Sequence, residues 1–235
     1  MPRYKAVIFD LDGTLCYTLD DLAISMNTML GILGHNKNTE EELLQNINHG
    51  ARTFVLKSLP DGIEDASPEF ETAFALYDAL YYLHCADNVR FYDGMEEMIF
   101  RLKAAGIKLF VHTNKQNAPS HKILTHLLPE GTFDMIIGAG IFNVKPDPEA
   151  SLHIAEQFGL SPEEVVFCGD SDVDMKTARN AGMFPLGVAW GFRPREVLLE
   201  NGAEMIAETP GEIADFVLNS CKNKQNSTHN LQKKR

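Results

Sequence analysis

Short apolar runs alternate with amphipathic stretches along most of this chain. Residues 4–9 (YKAVIF) are rich in strand formers and stop at acidic residues and a glycine, a pattern that predicts a buried parallel strand. Similar runs recur at 107–112, 135–137, 165–168 and 185–189. Helical periodicity covers 94–105, 117–128, 149–158 and 172–181 between them. Strands alternating with helices predict βαβ units, a parallel sheet and an α/β fold.

Residues 19–84 break the alternation, because their pattern is helical throughout. Leu22, Met26, Met29, Leu30 and Leu33 fall on one helical face. Thr39-Glu40-Glu41-Glu42 reads as a capping box ahead of Leu43, Leu44 and Ile47. Further helices are expected over 53–59, after the Gly50-Ala51-Arg52 turn, and over 69–83. A helical block inserted after the first strand predicts a small cap at 18–87 on a core formed by 1–17 and 88–218. The chain would cross between them near 16–19 and 86–93. Residues 219–235 are polar and basic without periodicity, so a disordered tail is expected there.

Composition narrows the class. Hydrophobic residues make up 44% and charged residues 23% of 235, as in a folded globular protein. No apolar run approaches the ~18 residues of a membrane span, and no signal peptide precedes the first strand. The four cysteines (Cys16, Cys85, Cys168, Cys221) form no CxxC pair or zinc spacing, so reduced thiols in a cytoplasmic protein are expected. A net charge of −12 argues against nucleic-acid and membrane partners, which require a basic surface. A phosphorylated metabolite would need locally concentrated positive charge: a metal ion, a lysine, or both.

The chemistry-bearing residues sit at predicted strand ends, where open α/β sheets place their ligands. Asp10 and Asp12 follow the first strand. Either they belong to an ordinary turn, or two mutually repelling carboxylates there share a cation. Gly169-Asp170-Ser171-Asp172-Val173-Asp174 follows another apolar run. It is not an EF-hand loop, since Met175 and Ala181 stand where glycine and glutamate are required. Asp172 suits a helix N-terminus, whereas Asp170 is better aimed at a metal. Thr113-Asn114-Lys115 closes the second strand and Lys145-Pro146 lies beyond the third. Thr113 and Asn114 either offer polar groups to phosphate oxygens or cap the next helix. No GxxxxGK[ST], HExxH or GxSxG motif is present. His112 reads as a core or supporting residue.

With DLDGTL at 10–15, Thr113-Asn114, Lys145-Pro146 and GDSDVD at 169–174 in this order, the chain resembles the haloacid dehalogenase superfamily of phosphatases. The stretches LDDLAISMNTML, NHGARTFVLKSL and VAWGF make it similar to the phosphoglycolate phosphatase branch. The resemblance implies a Rossmann-like sheet in the order 5-4-1-2-3 with a helical cap inserted after strand one. It also implies a magnesium-dependent phosphomonoester hydrolase in which Asp10 forms an aspartyl-phosphate and Asp12 is the acid and base. Magnesium would be held by Asp10, the Asp12 carbonyl and Asp170, with Asp174 behind them orienting waters or Lys145. Thr113, Asn114 and Lys145 would stabilise phosphoryl charge. The Gly50-Ala51-Arg52 loop is the candidate to reach over the site from the cap, where Arg52 either pairs with a substrate carboxylate or is a solvated residue at a helix start. A phosphomutase or a pyrophosphatase would share the motifs. A dehalogenase would need neither Asp12 nor the metal cluster, and a regulatory protein would not need every chemical position filled. A monomer or weak homodimer acting on a small phosphorylated metabolite is expected.

Overall fold

The computed structural model describes residues 3–47 and 49–220. Strand β1 (Ala6–Phe9) leads through β2 (Cys16–Tyr17) into helices α1 (Leu19–Ile32), α2 (Glu40–Asn46), α3 (Ala51–Ser58) and α4 (Pro68–His84). The chain returns through β3 (Arg90–Phe91) to α5 (Met95–Ala104), β4 (Lys108–Gln116), α6 (Asn117–Leu127), β5 (Met135–Ala139) and α7 (Glu149–Gln157). Then follow β6 (Val165–Gly169), α8 (Asp172–Asn180), β7 (Phe184–Val188), α9 (Arg195–Glu200), β8 (Met205–Ala207) and α10 (Pro210–Asn219).

Six strands form one parallel sheet in the order β5-β4-β1-β6-β7-β8. Counting only the core strands, this contains the expected order 5-4-1-2-3 and adds a sixth strand, β8, at one edge. Side-chain alternation divides the sheet between two cores. Val7 and Phe9 face Ile99 of α5, Ile123 of α6 and Ile213 of α10. Ala6 and Ile8 face Ile154 of α7 and Ala178 of α8. Burial on both faces explains why these strands read as continuous apolar runs rather than alternating ones.

The inserted helices follow their sequence signals. Thr39 accepts from the Glu42 N–H while Glu42 accepts from the Thr39 N–H, the expected capping box at α2. Ser67 caps α4, whose first residue is Pro68. Helices α1 and α4 pack together, burying Met26, Met29, Phe70 and Tyr77. Core cations grip carbonyls of the inserted helices: Arg193 donates to Leu44 O (2.6 Å) and Ile47 O (3.1 Å). Lys122 donates to Tyr82 O (2.6 Å) and Leu83 O (2.8 Å), where a helix C-terminus favours positive charge.

The crossing segments carry a two-stranded antiparallel ribbon, Cys16 opposite Phe91 and Tyr17 opposite Arg90. Arg90 pairs with Asp20 at 2.8 Å, and Asp21 accepts from the Asn88 backbone and side chain. Of the expected tail, Asn219 is helical, and 221–235 lie outside the described residues. Among the described residues no helix is long and apolar enough to cross a membrane. Cys16, Cys85 and Cys168 are buried free thiols.

Candidate active site

The carboxyl ends of β1, β4 and β6, with the loop after β5, converge on one pocket beneath the inserted helices. Its lining includes Asp10, Asp12, Thr113, Asn114, Lys115 and Lys145 from the core, and Leu22, Phe54, Tyr77 and Tyr81 from the helices. The space it offers, about 50 Å³ for the centre of a water-sized sphere, opens in part to solvent. As it stands the pocket is small.

Asp10 is fixed by its own N–H, which donates to Cys168 O at 2.9 Å across the sheet. Its Oδ1 lies 2.8 Å from Lys145 Nζ, yet this buried oxygen receives no hydrogen bond of good angle. The contact is therefore an ion pair by proximity, and Oδ1 keeps lone-pair capacity. Lys145 Nζ also donates to Asp174 Oδ1 at 2.6 Å. Asp174 in turn receives the Ser171 N–H and hydroxyl at Oδ2 (3.0 and 2.6 Å), part of a capping box that opens α8. The two carboxylates more than offset the cost of burying the ammonium, and its pKa rises.

Asp170 sits in a slot built by glycines. A Cβ on Gly13, whose φ is +79°, would lie 2.3 Å from Asp170 Oδ2, and one on Gly191 would lie 2.1 Å from Asp170 Cβ. Thr14 Oγ1 donates to Asp170 Oδ1 (3.0 Å) and the Phe192 N–H to Oδ2 (2.7 Å). Trp190 Nε1 donates to Thr14 O at 3.0 Å, so the VAWGF stretch supports this acid. Burial, then the Asp174 and Asp10 charges, push the Asp170 carboxyl well up. Burial, with Asp10 adding repulsion, holds Asp174 at about 6 although Lys145 opposes the rise.

One oxygen each of Asp10, Asp170 and Asp174 lies within 4.8 Å of the others, all three residues buried. Three carboxylates against the single ammonium of Lys145 leave surplus negative charge, and Asp10 Oδ1 receives no well-aligned hydrogen bond. This donor set suits a hard divalent cation. The Asp12 carboxylate stands apart from that cluster. Its Oδ1 accepts from Thr18 Oγ1 at 2.6 Å and lies 2.9 Å from Lys115 Nζ.

The other expected residues divide. Thr113 is buried in the pocket wall, where its Oγ1 accepts from the Lys115 N–H at 3.2 Å. Asn114 brackets the Lys145 backbone, Oδ1 accepting its N–H (2.8 Å) and Nδ2 donating to its carbonyl (3.1 Å). Its amide thus positions the lysine. His112 is buried, with Nδ1 2.8 Å from Ser151 Oγ, and burial drives its pKa well down, as befits a neutral supporting residue.

Of the two readings of Arg52, its position matches the solvated one at a helix start and not the one that reaches substrate. It does not line the pocket. Its guanidinium pairs with Asp65 (2.7 Å) and Glu71 (2.8 Å) and lies over the rings of Phe70 and Phe74, on the exposed side of α3. On a helix Ala51 and Phe54 share a face, while Arg52 is turned about 100° away. Arg52→Ala is accordingly expected to change kcat/KM for phosphoglycolate and p-nitrophenyl phosphate by the same factor. A selective loss on phosphoglycolate would return Arg52 to the site.

Sequence reasoning placed Lys115 at the strand end without giving it a role, and it missed Tyr81. Lys115 Nζ donates to Tyr81 Oη at 2.5 Å, and Tyr81 stacks on Tyr77 with centroids 5.8 Å apart. A signal for Lys115 existed: two residues beyond Thr113 on one strand, it shares that residue's face.

The model of the haloacid dehalogenase-like hydrolase family matches residues 7–188. The N-acetylmuramic acid 6-phosphate phosphatase of Pseudomonas aeruginosa is 32% identical, the match covering 92% of this chain and 95% of that one. The phosphoglycolate phosphatase of Nitrosospira multiformis is 31% identical, over 92% and 96% of the two chains. The crystal structure of a predicted phosphoglycolate phosphatase from Haemophilus somnus 129PT superposes with a TM-score of 0.86 at 27% identity, over 92% and 99%. Strand-end acids, buried lysine, fold and relatives thus agree: the chain belongs to the haloacid dehalogenase-like hydrolases and is a phosphatase similar to the phosphoglycolate phosphatases.

Proposed function

We propose that the chain is a magnesium-dependent phosphomonoester hydrolase that works through an aspartyl-phosphate on Asp10 and acts on a small phosphorylated acid such as phosphoglycolate. The observation that carries this is the Asp10 carboxylate: buried, 2.8 Å from Lys145, with an oxygen that receives no well-aligned hydrogen bond, in the wall of the pocket.

A carboxylate attacks phosphorus while ionised, so Asp10 needs no activating base. Its oxygen bonds to phosphorus as the ester P–O bond breaks and the electron pair leaves with the alkoxide. Asp12, fixed at Oδ1 by Thr18 and Lys115, enters the step as the carboxylic acid with its proton on Oδ2, and gives that proton to the alkoxide. It then takes one from the water that attacks the aspartyl-phosphate, releasing phosphate and restoring Asp10. Lys145 and Thr113 stabilise the phosphoryl oxygens, Asn114 and Asp174 hold Lys145, and residues 18–87 act as a cap that excludes water. Asp10, Asp170 and the Asp12 carbonyl would hold magnesium, which when bound would supply charge neutralisation of the phosphoryl group.

The substrate reading draws on two supports. Phosphoglycolate and N-acetylmuramic acid 6-phosphate, the substrates that the relatives' names give, are both phosphorylated carboxylic acids. The pocket also carries a second buried ammonium, Lys115, besides the Lys145 that pairs with Asp10.

A phosphate-release screen over phosphoglycolate, N-acetylmuramic acid 6-phosphate, pyrophosphate, sugar phosphates and nucleotides tests the proposal, with glucose 1-phosphate isomerisation run alongside. Release from phosphoglycolate with magnesium and none with EDTA is expected. Isomerisation without release would overturn the hydrolase reading. In the same preparation magnesium is expected to raise Tm. Burial and mutual repulsion raise the Asp170 and Asp174 pKa values, so metal-free stability falls as pH climbs from about 4 through about 6. The magnesium gain in Tm is therefore larger at about pH 7.5 than at about pH 5; equal gains would count against these carboxylates as the metal site.

A further inference from the structure

Lys115 is buried in the pocket wall, its side chain 3% exposed. Among the described lining residues the only other cation is Lys145, which two carboxylates already bracket. Lys115 has one carboxylate, Asp12, at 2.9 Å, and the neutral Tyr81 hydroxyl at 2.5 Å. An ammonium carries three donors, so these two partners leave one for a ligand. The surrounding wall is apolar and aromatic, formed by Leu22, Ile47, Phe54 and Tyr77. A charge-assisted hydrogen bond in such surroundings is stronger than one in water.

We infer that Lys115 is a specificity-determining residue that pairs with a carboxylate carried by the phosphate ester. The inference rests on the phosphomonoesterase reading above and deepens it. The phosphoryl group lies with Asp10 and Lys145, and the substrate's second anion reaches Lys115 on the same wall. Tyr81, held against Tyr77, fixes the ammonium from the inserted helices, so the anion subsite is complete when those helices lie over the sheet. The Lys115 ammonium also lies 4.5 Å from the Tyr81 ring centroid, a cation–π contact that restrains it further.

The test compares 2-phosphoglycolate with 2-hydroxyethyl phosphate, the same skeleton ending in a neutral alcohol, at constant ionic strength. Wild-type protein is expected to favour the acid by about ten- to a hundredfold in kcat/KM, the range of a hydrogen bond to a charged group. Lys115→Gln is expected to bring the ratio close to one, mainly through KM for the acid, and Lys115→Arg to retain part of it. The ratio is the readout because loss of the contact with Asp12 slows both substrates alike. An unchanged ratio in Lys115→Gln would overturn the inference. A ratio near one in the wild type would do the same without any variant, so the test does not depend on the variant folding. Failure of the wild type to hydrolyse either ester would instead overturn the phosphoglycolate reading on which the inference rests.

Discussion

Asp10→Asn is expected to reduce phosphate release on the order of 10⁴-fold or more, the scale on which a covalent nucleophile is lost. The amide preserves shape, so the far-ultraviolet circular dichroism should not change. What it removes is the negative charge and the lone-pair reactivity of an oxygen now 2.8 Å from Lys145. Single-turnover measurements with the variant should show no phosphorylated protein. Activity within tenfold of the wild type would exclude Asp10 as the nucleophile, whatever its place in the metal cluster.

Lys145→Met is expected to damage both stability and rate. Methionine nearly fills the space but leaves Asp10 and Asp174 without their shared ammonium, both of them buried. Breaking a buried ion pair from one side costs about 3–5 kcal/mol, which for a chain of this size lowers Tm by roughly 10 °C. The loss should be greater at about pH 8 than at about pH 5, because Asp174, already pushed up to about 6, can take a proton when the solution is acidic. A pH-independent change in Tm would mean that the cost comes from packing. The chemical step should slow by roughly 10²–10³-fold, as when a preorganised charge-stabilising group is removed.

Much of the core was legible because strand ends write themselves into the sequence. An apolar run such as 165–168 must stop where the chain leaves the sheet, and Asp170 follows at that exit. Strand β8 escaped notice for the opposite reason: Met205, Ile206 and Ala207 form a three-residue edge element, only Ala207 of which is buried. β2 and β3 are shorter still, and their pairing joins residues more than seventy positions apart.

The lysine and arginine of the site show the same limit at the level of chemistry. Lys145 and Asp10 could be placed together because each follows a strand of one sheet on its carboxyl side. Lys115 meets Tyr81 from α4, a contact that depends on how the inserted helices lie over the sheet, and local periodicity carries no such information. The Gly50-Ala51-Arg52 loop left Arg52 free to point toward the site or away from it. A helical rotation of about 100° per residue was enough to carry it to Asp65 and Glu71 instead.

The β2–β3 ribbon has a consequence beyond holding the chain together. Residues Cys16 and Phe91 are direct cross-strand partners, so the helical insert begins and ends at neighbouring points, roughly 5 Å apart. An insert joined in this way can be exchanged for one of different length or shape without moving Asp10 or reordering the sheet. In the reading proposed above, contacts that the insert makes with substrate can therefore change while Asp10, Lys115 and Lys145 keep their places on the core, because the ribbon is a natural grafting point between the two.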